Sequence, residues 1–505
     1  MLHTLAAAPR APSLKPFLEY VELESRNLKD ECPSAVAPDG ALLEYETLEL
    51  RVHPPNVEID NEGDEGATIV TVDSVNRPGT LVQLVQCLTG LGLRISQARI
   101  SSDRGWFVDD FHVTDADGGK VTDERKLSAI RKVLTVERAP LAEADSAVLE
   151  LAGEDCPGLL ADVHMLLAQS GFDVQSAAVW THKQKVGFAM SVSQAGKPVD
   201  YAKLETVRQV LLTMLGGHGQ GVALVHRVRG SVHLERKLHV LLLEEERKRL
   251  CLSQGCSGVY KPAPPSPRPV PGMGMRLPHR SPKHSYPEVT IKAMPRLGYW
   301  LVKVVCGDRD KLLFDIACTL ADMDYDVYHG SVDCGSDGRT AYLEFYIRPR
   351  FQEVEWDEAR VEILKYLLET AIQRRFPRGL KVHVQPQASQ GSLGAFMQAV
   401  KEGDLCVTRA KVRRQVPGRA PGHTFYLLAA DGSMPCPSQV QAACCRLGGE
   451  LVLERGVDGG SSDESVGGAH REERNFCYSF QERQRSQEWE DNSSSSTAST
   501  ASISL

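Results

Sequence analysis

At 505 residues the chain is long enough for three or four domains of about 150 residues each. Its formal net charge of −8 argues against a general attraction to nucleic acid or anionic lipid. No apolar run approaches the roughly 20 residues that a membrane-crossing helix needs. The 13 cysteines are irregularly spaced, Cys444 and Cys445 are adjacent, and no signal peptide precedes them. They read as reduced thiols of an intracellular protein, expected in the cytoplasm, with nucleus and plastid left open.

In chain order, residues 1–66 form a lead-in. Met1–Pro16 lacks acids and reads as a disordered start rather than a transit signal, and Phe17–Glu49 is mixed and acidic. Ala67–Thr122 then sets a pattern. Thr68–Val72 alternates as a strand, and the polar loop Asn76-Arg77-Pro78-Gly79 follows it. Leu81, Leu84, Val85 and Leu88 fall at helical spacing. Strand-like runs come next at Leu93–Ile100 and Trp106–Val113, the second ending in the turn Asp115-Ala116-Asp117-Gly118. Leu127, Ile130, Val133 and Leu134 predict a second helix, and Val148–Ala152 opens the next cycle.

The pattern returns three times. Asp155-Cys156-Pro157-Gly158-Leu159 lies over the first loop, and Gly171 then falls on Gly92 without a gap. Asp308-Arg309-Asp310-Lys311 and Ala388-Ser389-Gln390-Gly391 take the same place, after which LRISQARI, FDVQSAAV, YDVYHGSV and LCVTRAKV coincide. Units of roughly 80 residues suit whole small domains rather than solenoid turns.

An Asp/Asn-Arg-Pro-Gly-x-Leu loop between a first strand and first helix resembles the ACT domain, a βαββαβ ferredoxin-like module that binds amino acids. Val57–Asn61, Ile100–Phe107 and Val113–Gly118 are similar to the first repeat of the plant ACT-domain-repeat proteins and its lead-in. His233–His239 resembles their segment between repeats two and three, Lys311–Asp315 and Tyr328–Asp333 their third repeat, and Ala371–Arg375 with Gly379-Leu380 their third-to-fourth junction. The likeness runs from about Tyr45 to about Gly449. It implies an α+β chain of tandem antiparallel-sheet domains at 67–140, 146–222, 297–378 and, degenerate, 379–455. Between repeats two and three stand a connecting helix at 223–253 and a Pro-rich linker at 254–290, which favours extended polyproline conformations. Ser231–Arg249 reads as a surface helix packed on repeat two. Residues 456–505, rich in Ser, Glu and Gly, read as a disordered tail.

The repeated loop precedes a helix N-terminus, where free N–H groups and the helix dipole favour an anion such as an α-carboxylate. Gly79, Gly158 and Gly391 let a ligand approach the backbone. Asn76, Asp155 and Asp308 stand where an oxygen could receive the ammonium group, though the same residues suit an Asx turn or helix cap. Four loops in one frame, with the family resemblance, favour a ligand in at least one. The candidate ligand-binding set is Asn76, Arg77, Pro78 and Gly79; Asp155, Cys156, Pro157, Gly158 and Leu159; and Asp308, Arg309 and Lys311. Lys311 replaces Gly and narrows the approach, and Ala388–Gly391 offers neither acid nor Arg, so repeat four is the poorest binder.

ACT sheets commonly join side by side with ligand at the joint, so the resemblance implies pairing of repeat one with two and three with four, or a homodimer. The function expected is a non-catalytic amino-acid sensor, and the alternative is a ligand-free scaffold that regulates a metabolic enzyme. No catalytic residues, cofactor or metal are expected. Asp109-Asp110 and Asp308-Arg309-Asp310 read as solvated faces, and Cys251, Cys256, His279 and His284 do not suit a tight zinc site. An RNA-binding reading fails for repeat two, whose first strand has no aromatic to stack with Phe188, which reads as core. Neither nucleic acid nor membrane is expected as a partner.

Overall fold

The computed structural model describes residues 55–103, 105–135, 146–194, 197–216, 221–228, 232–254, 287–334, 340–350, 357–376, 378–385, 392–413, 422–445, 450–454 and 477–478. The lead-in before Pro55, most of the Pro-rich linker, the fourth loop Ala388–Gly391 and nearly all of the tail lie outside them. The chain divides into two compact units, Met1–Pro54 with Glu244–Pro278 and Pro55–Leu243 with His279–Leu505. All four repeats belong to the second. Of the first, only the helical turns 244–254 are described, carrying the pair Arg249–Glu246 at 2.6 Å.

Repeat one comprises β1 (Asn56–Asp60), β2 (Thr68–Val75), α1 (Thr80–Gly90), β3 (Arg94–Asp103), β4 (Trp106–Thr114) and α2 (Glu124–Thr135). Repeat two comprises β5 (Ser146–Glu154), α3 (Leu159–Gln169), β6 (Asp173–His182), β7 (Lys185–Ser193), α4 (Tyr201–Met214) and β8 (Val222–Val228). Helix α5 (Leu234–Gln254) follows. Repeat three holds β9 (Glu288–Met294), β10 (Tyr299–Gly307), α6 (Leu312–Asp322), β11 (Tyr325–Cys334), β12 (Thr340–Pro349) and α7 (Glu358–Arg374). Repeat four holds β13 (Leu380–Gln385), α8 (Ser392–Glu402), β14 (Leu405–Val412), β15 (His423–Ala429), α9 (Pro437–Cys445) and β16 (Glu450–Glu454), and the short β17 (Cys477–Tyr478) pairs with β16.

Repeats two and four follow βαββαβ. In repeats one and three the edge place next to the first core strand is taken by the strand that precedes it: β1 pairs with β2 and β9 with β10, both antiparallel. The sheet is the same, but the closing strand arrives from the other end of the repeat. The lead-in residues Val57–Asp60 are therefore part of the first sheet.

The expected pairing of neighbours does not occur. The eight-stranded sheet runs β1-β2-β4-β3-β11-β12-β10-β9, so repeat one joins repeat three. The nine-stranded sheet runs β17-β16-β13-β15-β14-β6-β7-β5-β8, so repeat two joins repeat four. Each repeat offers the open edge of its second strand, with unpaired N–H and C=O groups. That local fact does not say which edges meet. Here β3 meets β11, with Ser331 opposite Arg99, and β6 meets β14, with Val179 opposite Ala410.

Alternation explains each sheet's two faces. In β2 the even positions Val70 and Val72 are fully buried and the odd ones are not. The second pair has one continuous core, in which Leu149, Leu151 and Phe188 of repeat two pack with Val382, Phe396 and Phe425 of repeat four. Burying each such ring contributes about 2–3 kcal/mol. The helix-free face of repeat two is covered by α5, whose Leu238, Leu241 and Leu242 pack on Ala152, Ala178, Trp180 and Ala189. This contact requires Gly187, because a Cβ there would stand 2.8 Å from Leu238 and Leu242 side-chain carbons.

Candidate functional site

The loop of repeat two leads from β5 into α3. Gly158 takes φ +80 at the helix start, a left-handed conformation that suits glycine. Asp155 donates its backbone N–H to Gln184 O at 2.9 Å, which anchors the loop to the turn between β6 and β7. Its side chain caps nothing and has no hydrogen-bond or ion-pair partner among the described residues. The N–H groups of Leu160 and Ala161 in the first helical turn likewise donate to no acceptor among the described residues.

These groups open onto a cavity of about 180 Å³ at the joint between repeats two and four. Its apolar wall is Val179, Val186 and Phe188 from one repeat and Met397, Val400 and Leu405 from the other. Asp155 stands solvent-accessible at the mouth, and partial desolvation there raises its pKa to about 6. Cys156 and Cys406 also line the cavity, and burial followed by the charge of Asp155 pushes both thiols up. The space directly above Gly158 is occupied, contrary to the expectation that glycine keeps it open. Lys401 of α8 lays its methylenes there, 2.9 Å from where a Cβ would be, and its Nζ reaches Asp162 Oδ1 at 2.6 Å.

The joint of repeats one and three has the same plan and a different filling. Asp308 is bound by Arg94 from across the joint and accepts the Cys334 thiol at 3.2 Å. Only 4% of its side chain is exposed, so the expectation of a solvated face is corrected for Asp308, though it holds for Asp310 at 81%. The remaining cavity is about 20 Å³, enough for one water. Arg309 turns inward to Asp315 Oδ2 at 2.7 Å and to Ile372 O at 3.0 Å. Lys311 holds the left-handed position of Gly158 at φ +61 and sends its Nζ to Glu235 Oε2 at 2.7 Å. In repeat one, Asn76 donates its side-chain amide to Ser102 Oγ, the Arg77 N–H donates to Thr80 Oγ1 at 3.0 Å, and Gly79 sits at φ +84 after Pro78. Among the described residues Asn76 makes neither an Asx turn nor a helix cap, its amide being spent on Ser102, and Asp308 is an internal ion-pair partner.

Glu235 is the centre of a buried ionic cluster that sequence reasoning missed. It accepts Lys311, Arg375 Nη1 at 2.5 Å and Lys411 Nζ at 2.9 Å, so helix α5 ties repeat three to repeat four. Burial opposes its charge, but Lys311, Arg375 and Lys411 outweigh that and hold its carboxyl well below the usual range. Asp315 beside it receives Arg375 and Arg309; burial again opposes ionisation, and the two guanidiniums bring it to about 2. Arg375 also stacks 4.2 Å over the Trp180 ring of β6. A signal was present: Glu235, Leu238 and Leu242 share one helical stripe, so the acid lies on the apolar face. No comparable spacing marks Arg94 or Lys401.

Asp109 is a further correction. It is 2% exposed on the inner face of β4, and burial lifts its pKa to about 7. Repeat two has Phe188 at the same place in the frame. Among the described residues no group of three His, Cys, Asp or Glu could hold a metal, and no helix is long and apolar enough to cross a membrane. The side chains of Cys251, Cys256, His279 and His284 lie outside the described residues.

Comparison with known proteins agrees with this architecture. Residues 63–140 match the model of the ACR family N-terminal ACT domain. The ACT domain-containing protein ACR4 of Arabidopsis thaliana is 35% identical over 402 residues, 77% of this chain and 84% of that protein. ACR5 of the same plant is 33% identical over 439 residues, 82% and 89% of the two chains. The bifunctional uridylyltransferase/uridylyl-removing enzyme of Azospirillum brasilense is 44% identical over 81 residues, only 16% of this chain and 9% of that enzyme. Four ferredoxin-like domains in antiparallel sheets define an ACT-repeat protein, and the chain belongs to the plant-type ACR family of ACT-domain-repeat proteins.

Proposed function

We propose that this protein is a non-catalytic regulator that binds a free amino acid at the joint of repeats two and four. The observation that carries the reading is the cavity of about 180 Å³ beside Asp155, whose carboxylate has no partner among the described residues. An ammonium group would supply that partner, and the free N–H groups at the start of α3 suit the α-carboxylate. The two thiols in the cavity are held protonated, so neither is a ready nucleophile. Because the site draws on two repeats, occupancy would favour their joined arrangement, and that shift would be what a metabolic enzyme or other partner reads.

A thermal-shift titration of the full chain with the twenty amino acids tests this. One or a few should raise the melting temperature, since a ligand of the folded state stabilises it by linkage. A flat response from all twenty would contradict the reading. A scaffolding role suits the other pair, because Arg94 and Asp308 close its joint without a ligand.

A further inference from the structure

We propose that the ligand is a small aliphatic α-amino acid, and that Lys401, contributed by repeat four, binds its carboxylate and separates amino acids from simple amines. This rests on the amino-acid reading above and narrows it.

Size comes first. A hole of about 150 Å³ in a protein core accepts benzene. By the same ratio a cavity of about 180 Å³ holds roughly seven heavy atoms. After the ammonium, α-carbon and carboxylate, about two side-chain atoms remain, the middle of the range from alanine to valine. The wall sets polarity. Val179, Val186, Phe188, Met397, Val400 and Leu405 offer a charged side chain no partner, and burying such a charge unpaired is costly.

Lys401 supplies the cation. Its stem crosses Gly158, beside the first turn of α3 where the N–H groups of Leu160 and Ala161 have no acceptor among the described residues. Among the described residues its Nζ is held by Asp162 alone, and both side chains of that pair are over 30% exposed, 39% for Lys401 and 33% for Asp162. Exposed pairs of this kind hold weakly, so a ligand carboxylate can take over the ammonium without a large penalty. Asp155 and Lys401 are both among the residues that line the cavity, and the carboxylate of one and the ammonium of the other, once it leaves Asp162, match the two charges of an amino acid. Lys401 lies on α8 and Asp155 before α3, so the pair exists only while repeats two and four are joined.

Calorimetric titration of the full chain with alanine, 2-aminobutyrate, valine, phenylalanine, aspartate and isobutylamine tests this. The expected result is binding of alanine to valine, none of phenylalanine or aspartate, and valine preferred over isobutylamine by about tenfold or more. In Lys401→Met, which keeps the stem, that preference should vanish while isobutylamine binds as before; Lys401→Arg should restore it. Equal binding of phenylalanine or aspartate would overturn the size and polarity argument. Retained preference in a folded Lys401→Met would overturn the role of Lys401. Absence of binding by any amino acid would instead overturn the amino-acid reading itself.

Discussion

The two sheet joints are built from the same parts and differ in what stands in their loops. At the joint of repeats two and four, Pro157-Gly158 turns the chain into α3 and leaves Asp155 facing open space. At the joint of repeats one and three, Arg94 takes Asp308, and Lys311 is drawn to Glu235. A lysine in the left-handed region costs on the order of 1–2 kcal/mol, and its pairing with buried Glu235 offsets that. One frame therefore serves two ends: a loop whose polar groups lack partners among the described residues and border a cavity, and a loop that cements the molecule. The difference teaches that a family loop motif marks a place where a ligand can sit, while the partner repeat decides whether anything can.

The comparison breaks most visibly at the ionic cluster. Arg375→Ala leaves Asp315 and Glu235 short of a buried cation and is expected to destabilise the folded protein by about 3–5 kcal/mol, read as a lower denaturation midpoint. Asp155→Asn at the open joint should cost nothing and raise the melting temperature at pH 8, because the desolvated carboxylate is already unfavourable there.

Asp109 sharpens the contrast between repeats one and two. Its folded pKa of about 7 lies above the unfolded value near 4, so the folded state holds the proton longer. The penalty accrues as pH rises from about 4 to about 7 and is fully present above that. Asp109→Asn should therefore gain most at pH 8, on the order of a few kcal/mol, and nothing near pH 4. A gain that is flat with pH would show that Asp109 is not charged in the folded core.

The smallest effect is the pH dependence of binding. Free Asp155 titrates near pH 6 and an ammonium partner would lower that value. Amino-acid affinity should be constant above pH 6 and fall about tenfold per unit below it.

Much of this was legible in the sequence. The alternation of Val70 and Val72, the helical stripe of Leu84, Val85 and Leu88, and the shared loop frame identify four ferredoxin-like repeats because these are local regularities. The joints were not legible, since each repeat offers the same open edge and the choice depends on how α5 and repeat three cover the back of repeat two. Arg94 and Asp308 lie 214 residues apart and are joined only by that choice. Asp308, Arg309 and Lys311 read as ligand groups because their positions match the motif, and their partners Arg94, Asp315 and Glu235 come from outside it. Asp109 looked solvated beside Asp110 because alternation places one of any adjacent pair inside, and neither residue type betrays which.

The most direct test is calorimetric titration of whichever amino acid raises the melting temperature, into the wild-type chain, Asp155→Asn and Asp308→Asn. The account predicts that Asp155→Asn abolishes binding and Asp308→Asn leaves it within about twofold of wild type. Loss of binding in Asp308→Asn with retention in Asp155→Asn would place the ligand at the other joint and contradict the account.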